Sequence, residues 1–193
     1  EAPSLSSALS STSFSEDSAL GTIIATSSVA DPESNTITYS LTGPGSEYFS
    51  VDENGNVTLK DSLDFETYSN YEITLVASDG ELTTSSVITF DISDVDEAPS
   101  LSSSLKSESF EESIAVGTAL ATISSIDPES QTITYSLSGT GSENFEIDSE
   151  GNITSKVNFD YETATSYTFN VTASDGTNST TSPLTITLSD VNE

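Results

Sequence analysis

The sequence predicts an all-β chain built as two tandem seven-stranded Greek-key β-sandwiches joined end to end. Three observations predict it. A unit is written twice at a fixed offset, apolar residues alternate with polar ones inside each copy, and Gly/Asp/Asn turn chemistry separates the alternating runs.

The repeat comes first because it sets the domains. EAPSLSS at Glu1 returns at Glu97, DPES at Asp31 returns at Asp127, and ASDG at Ala77 returns at Ala173, each 96 positions later. GPGSE at Gly43 likewise returns as GTGSE at Gly139, and no gap is needed anywhere. The domains are therefore 1–96 and 97–193. The first strand of each copy ends at Glu16 or Glu112, after Phe14 or Phe110. The second runs into Asp31-Pro32-Glu33 or Asp127-Pro128-Glu129, where proline fixes the turn. Ile37, Tyr39 and Leu41 then alternate with Thr and Ser, as do Ile133, Tyr135 and Leu137. Turns at DENG (Asp52) and SEG (Ser149) precede Asp64-Phe65-Glu66 and Asp160-Tyr161-Glu162. Tyr71, Ile73, Leu75 and Ala77, matched by Tyr167, Phe169, Val171 and Ala173, mark one strand's inward face. Ile88, Phe90 and Ile92, matched by Leu184, Ile186 and Leu188, mark that of the last. The linker VDEAPS is very short, and Pro99 stiffens it and blocks ladder pairing.

Composition narrows function. There are 32 acidic residues against three lysines and no arginine, for a net charge of -29. A nucleic-acid binder needs a basic surface to displace counterions, and so does attraction to an anionic membrane. Neither is expected. Histidine and cysteine are absent, which removes Ser-His-Asp and Cys-His catalysis, disulfides and imidazole or thiolate metal sites. Leu, Ile, Val and Phe make up about 23% of the sequence, just above the range in which a highly charged chain stays disordered. A bound cation would offset that charge. No apolar run approaches the ~20 residues of a membrane span, so no membrane insertion by this segment is expected. The chain opens mid-phrase at Glu1-Ala2-Pro3 and reads as part of something longer. Its acidity, serine content and lack of cysteine fit an extracellular, cell-surface protein of a bacterium, and a monomer is expected.

The carboxylates sit at loops and strand ends. If Asp64-Phe65-Glu66 is extended, the aromatic anchors in the core while both acids project together. Asp94, Asp96 and Glu97 follow at the linker, with Asp190, Asn192 and Glu193 in the second copy. Head-to-tail stacking would gather Glu16, Asp64, Glu66, Asp94, Asp96, Glu97, Asp127, Glu129 and Asp175. Each like-charge pair at ~5 Å costs on the order of 1–3 kcal/mol. Ca2+ resolves the conflict because it accepts carboxylate and carbonyl oxygens in flexible geometry, whereas Mg2+ wants tighter octahedra. Asp31, Glu33 and Asp79 lack an upstream partner, and Glu112, Asp160, Glu162, Asp190 and Asn192 a downstream one. These half-sites are expected to be empty or weak. The plainer reading is a merely solvated acidic surface.

SEDSALGT from Ser15, ADPES from Ala30, LDFE from Leu63, VASDG from Val76 and DVDEAP from Asp94 together resemble a tandem of cadherin-like repeats, in the form found in RTX-type bacterial surface adhesins. The resemblance covers nearly the whole sequence. It implies an immunoglobulin-like sandwich and Ca2+ held between successive repeats by Glu16, Asp64, Glu66, the DVDE segment, Asp127, Glu129 and Asp175. The chain's partners are then neighbouring repeats, and its work is to stiffen an array that extends an adhesin from the cell. The linker is about one residue shorter than the animal form, and Asp-Pro-Glu replaces Asp-x-Asp. No tryptophan is present for strand exchange.

Two other classes remain open. A carbohydrate-binding module that takes surface glycans would use Tyr48 and Tyr68, aromatic only in the first copy, though ordinary surface tyrosines also account for them. A glycosidase needs two carboxyls ~5–9.5 Å apart across a cleft, and a compact sandwich offers little cleft. No catalytic residue is assigned and an enzyme is not expected. Asn56, Asn152, Asn170 and Asn178 each open an Asn-x-Ser/Thr sequon, but Asn56 and Asn152 lie in the shared Gly-Asn turn, where a turn role is the default.

Overall fold

The computed structural model describes residues 1–33 and 35–192; Glu193, named above among the acids, lies outside them. The chain divides into two compact units, Glu1–Val95 and Asp96–Glu193, one residue before the boundary drawn from the repeat.

In unit 1 the strands are β1 (Ser4–Leu9), β2 (Ser13–Ser15), β3 (Ile23–Ala30), β4 (Thr38–Thr42), β5 (Phe49–Val51), β6 (Val57–Leu59), β7 (Asn70–Ser78) and β8 (Thr83–Ser93). They form two sheets ordered β1-β3-β6-β5 and β2-β8-β7-β4. Eight segments arise from seven strands because the first one breaks. β1 pairs antiparallel with β3, while β2 pairs parallel with β8 in the opposite sheet. Ser10 and Thr12 anchor the crossing: the Ser10 N–H donates to the Ile24 carbonyl at 2.9 Å, and the Asp91 N–H to that of Thr12 at 3.1 Å.

Alternation places the core as expected. Tyr71, Ile73, Leu75 and Ala77 are all buried, facing Ile24, Phe49, Val57 and Leu59 of the other sheet. Each large side chain fully withdrawn from water contributes about 1.5–3 kcal/mol. These strands are rich in β-branched residues, which suit a half-buried pleated surface. Ser6–Ser28 and Ser50–Thr58 hydroxyl pairs cross between neighbouring strands on exposed positions.

Unit 2 repeats the plan with β9 (Ser102–Leu105), β10 (Phe110–Glu111), β11 (Ala119–Ser124), β12 (Thr134–Ser138), β13 (Phe145–Ile147), β14 (Asn152–Ser155), β15 (Ser166–Ser174) and β16 (Ser179–Ser189). Its sheets are β9-β11-β14-β13 and β10-β16-β15-β12, with β10 parallel to β16. Phe169, Val171, Leu184, Ile186 and Leu188 fill the core, and Ser155 stands buried where unit 1 has Leu59. Among the described residues, no helix is long and apolar enough to cross a membrane.

Candidate metal site

At one end of unit 1, Glu16 follows β2 and is only 7% exposed. Its own N–H donates to the Ser93 carbonyl at 3.2 Å, continuing the β2–β8 pairing by one residue. Its carboxylate is bracketed by main-chain donors: the Phe65 N–H donates to Oε2 at 2.7 Å and the Val95 N–H to Oε1 at 2.6 Å. In unit 2, Glu112 does the same, accepting from Tyr161 N–H at 2.6 Å and Val191 N–H at 2.9 Å. One glutamate thus ties the first strand, the Asp-x-Glu segment and the residues after the last strand.

The Asp-x-Glu segment is a turn, not the extended stretch expected. The Tyr68 N–H donates to the Asp64 carbonyl at 2.9 Å, and the Thr67 N–H to Asp64 Oδ1 at 2.9 Å. Asp160 repeats this with Thr163, whose hydroxyl also reaches Oδ2 at 2.9 Å. Asp64 and Asp160 therefore cap their own turns, because a short carboxylate reaches free N–H groups there before anything distant. Phe65 still packs against the core as expected. The glutamates take the other direction. Glu112, Glu162 and Asp190 offer oxygens all within 4.8 Å of one another. In unit 1, Glu66 offers an oxygen within 4.8 Å of Glu16 and one of Asp94. Asn192 is exposed beside Val191.

The opposite set of acids is best defined in unit 2. Asp127 is buried, and its Oδ1 accepts the Gln131 N–H at 2.8 Å. Asp175 Oδ1 accepts the N–H groups of Thr177 and Asn178 at 2.6 and 2.7 Å. The Asn178 amide then donates to Asp96, at 2.6 Å to the carbonyl and 2.9 Å to Oδ2, and the Gln131 amide donates to Asp96 Oδ1. A continuous network runs Asp127–Gln131–Asp96–Asn178–Asp175. What it leaves over is specific. Asp127 Oδ2, Asp175 Oδ2 and both carboxylate oxygens of Glu129 are buried with no hydrogen-bond partner. An unsatisfied buried charged oxygen costs more than the ~1–3 kcal/mol of a neutral one. These oxygens fit a hard cation, which binds carboxylate oxygens in flexible geometry. Glu97 is half-buried in the same unit.

In unit 1, Asp31 accepts from the N–H groups of Glu33 and Asn35 at 3.4 and 2.5 Å, and Glu33 is exposed. Asp79 accepts from Leu82 and Glu81, and those N–H groups, Leu82 first, hold its carboxyl below the usual aspartate value. Leu82 stands where unit 2 has Asn178, so the side-chain link is particular to unit 2. Sequence reading missed Gln131 and Asn178 as parts of the site; their one signal was amide side chains four and three residues after the acids they serve.

Tyr48 and Tyr68 do come together, with ring centroids 6.3 Å apart, and both lie edge-on or tilted against Tyr71, at 5.8 and 5.6 Å. Tyr68 remains 42% exposed. In unit 2, Phe159 replaces Leu63 and packs on Tyr167 at 5.4 Å instead. The two tyrosines cover Tyr71 in unit 1, whereas in unit 2 Phe159, larger than Leu63, contacts the matching Tyr167.

The family described as "Cadherin domain" matches residues 10–99 and 106–189. Cadherin-related family member 1 of Gallus gallus is 33% identical over 174 residues, covering 85% of this chain and 20% of that protein. Protocadherin Fat 1 of Homo sapiens is 30% identical over 193 residues, covering 93% of this chain and 4% of its own length. The chain thus spans a fifth or less of these relatives. Among solved structures, human protocadherin-24 EC1-2 superposes with a TM-score of 0.60 at 24% identity, over 94% of this chain and 95% of that one.

Proposed function

Because the chain belongs to the cadherin domain family, we propose that it is a calcium-stiffened extension module of a cell-surface adhesin, with Ca2+ held where the first repeat hands over to the second. Cadherin domains are extracellular adhesion modules that bind Ca2+, and a pair of them is not an enzyme. The observation that carries the proposal is the set of buried, partnerless oxygens on Asp127, Glu129 and Asp175. A protein with three lysines and no arginine has little internal cation to set against them.

Glu16, Glu66 and Asp94 would supply ligands from the first repeat, with Asp64 fixing the turn that presents Glu66. Asp96, Glu97, Asp127, Glu129 and Asp175 would supply them from the second. The ion brings positive charge and nothing more; the protein's residues bind, orient and space it. Glu112, Glu162 and Asp190 would serve a following repeat in the same way, and Asp31, Glu33 and Asp79 a preceding one. The acidic, cysteine-free and histidine-free composition supports a bacterial surface as the setting.

Thermal unfolding tests the reading. At a calcium concentration a hundredfold above Kd, one site contributes ~2.7 kcal/mol, which raises the midpoint of a domain this size by about 10 °C or more over EGTA. Magnesium at matched ionic strength should not reproduce the rise. Spin labels, one per repeat, should show their distance distribution narrowing with calcium. Equal responses to all salts would reduce the carboxylates to a screened acidic surface.

A further inference from the structure

We propose that Asn54 is a site of spontaneous hydrolytic modification, an amide that converts to aspartate and isoaspartate, and that the Asp52 carboxylate restrains the conversion by keeping the β5–β6 turn closed. Asn54-Gly55 is the one Asn-Gly step in the sequence. Glycine matters here because its main-chain nitrogen, with no Cβ beside it, can approach the preceding side group.

The chemistry needs only water. The Gly55 nitrogen attacks Asn54 Cγ and a new C–N bond forms. The bond from Cγ to the amide nitrogen Nδ2 then breaks, and ammonia leaves with the proton the glycine nitrogen gave up. Water opens the resulting cyclic imide. Opening at Cγ yields aspartate. Opening at the main-chain carbonyl yields isoaspartate, in which the backbone runs through Cβ and Cγ.

The fold decides when this happens. Asn54 is exposed, but Gly55 is buried and its N–H donates to the Asp52 carbonyl at 3.0 Å. Asp52 Oδ1 accepts from Asn54 N–H at 2.9 Å and Asn56 N–H at 2.8 Å, and Oδ2 from the Asn56 amide at 2.8 Å. The nucleophile is therefore held while the turn is shut. The Asn56 N–H groups also hold the Asp52 carboxyl below its usual value, and like any aspartate it is charged in the alkaline conditions that favour conversion.

The same turn in unit 2 supplies a control within the molecule. Asp148 makes the matching bonds to Glu150 and Asn152, and Gly151 is preceded by Glu150, which has no amide to lose. Asn178-Ser179 is the other step with a small following residue, but the Asn178 amide is tied to Asp96. Conversion at Asn54 would matter to the first repeat. A Cβ on Gly55 would stand 2.0 Å from Ser27 Oγ and 2.8 Å from the Tyr39 ring, so Gly55 is closely packed and a methylene inserted in the backbone before it would have to displace it. The Val51–Val57 pair that the turn closes would lose its register.

The 193-residue chain is incubated in mildly alkaline buffer, with and without urea, and Asn54 is followed by peptide mapping with isoaspartate detection. Asn54 converts first. Its rate in buffer is lower than in urea by roughly tenfold or more, the factor expected from bonds to a charged group. Asp52→Ala removes most of that difference, and Asp52→Asn, which keeps one acceptor oxygen, falls between. If Asp52→Ala fails to fold, Asp52→Asn carries the test. Asp148→Ala leaves the Asn54 rate unchanged. Equal rates for wild type and the Asp52 variants in buffer would overturn the proposal. So would equal acceleration by Asp148→Ala, or conversion at another asparagine ahead of Asn54.

Discussion

Removing the Glu112 carboxylate separates its structural task from any ion. In EGTA, Glu112→Ala deletes two hydrogen bonds to a charged acceptor, at 2.6 and 2.9 Å, each worth about 1.5–3 kcal/mol. Against this stands relief of repulsion, because Glu162 and Asp190 offer oxygens within 4.8 Å. Those neighbours are exposed, where the effective dielectric is high, so relief returns only ~1–2 kcal/mol in total. The net loss is about 1–5 kcal/mol, which lowers the melting point of unit 2 by at least about 4 °C. Glu112→Gln relieves the same repulsion but retains one acceptor oxygen, so its loss should be smaller. Calorimetry that resolves the two units provides the assay, and unit 1, with its own Glu16, is the reference. An unmoved or raised unit 2 transition would refute the claim that this glutamate brackets the fold without metal.

Two further outcomes follow. Tyr71 is 2% exposed, its hydroxyl has no partner, and burial pushes its pKa up to about 12. A tyrosine raised this way stabilises below its unfolded value of 10.0, and that contribution is lost as pH climbs towards 12. Unit 1 should therefore weaken over that window, whereas Tyr71→Phe should remove the dependence and leave neutral stability unchanged or higher in pH-dependent urea unfolding. Asn178→Leu, which installs the residue unit 1 carries, frees Asp96 from two bonds. It should move a calorimetric calcium titration to higher concentration while leaving the unit 2 core intact by circular dichroism.

Much of this was legible in the residues because two periods dominate them. The constant offset of 96 marked the repeats, and alternation from Tyr71 to Ala77 and from Ile88 to Ile92 identified the inward faces. The break in the first strand was not legible. Ser10, Ser11 and Thr12 are as compatible with a strand as with a crossing, and only the main-chain partners they meet decide it. Asp64-Phe65-Glu66 misled for a related reason. Period-two reasoning presumes extended backbone, and a local carboxylate-to-N–H bond at Asp64 outcompeted it. The acids were visible as acids. Gln131 and Asn178 were not visible as their companions, since an amide's partner is set by tertiary approach rather than by spacing.

The crossing of the first strand has a mechanical meaning. Because β2 lies parallel to β8, the second half of the broken first strand and the strand by which unit 1 is left run side by side in one direction. Pulling a unit from both ends then loads their hydrogen bonds in shear, all at once, instead of peeling them one after another. Unit 1 has three residue pairs in this position and unit 2 has two, Phe110–Leu188 and Glu111–Ser189. Glu16 and Glu112 extend each lap joint by one main-chain bond. Under tension, the shorter joint of the second unit should give before that of the first.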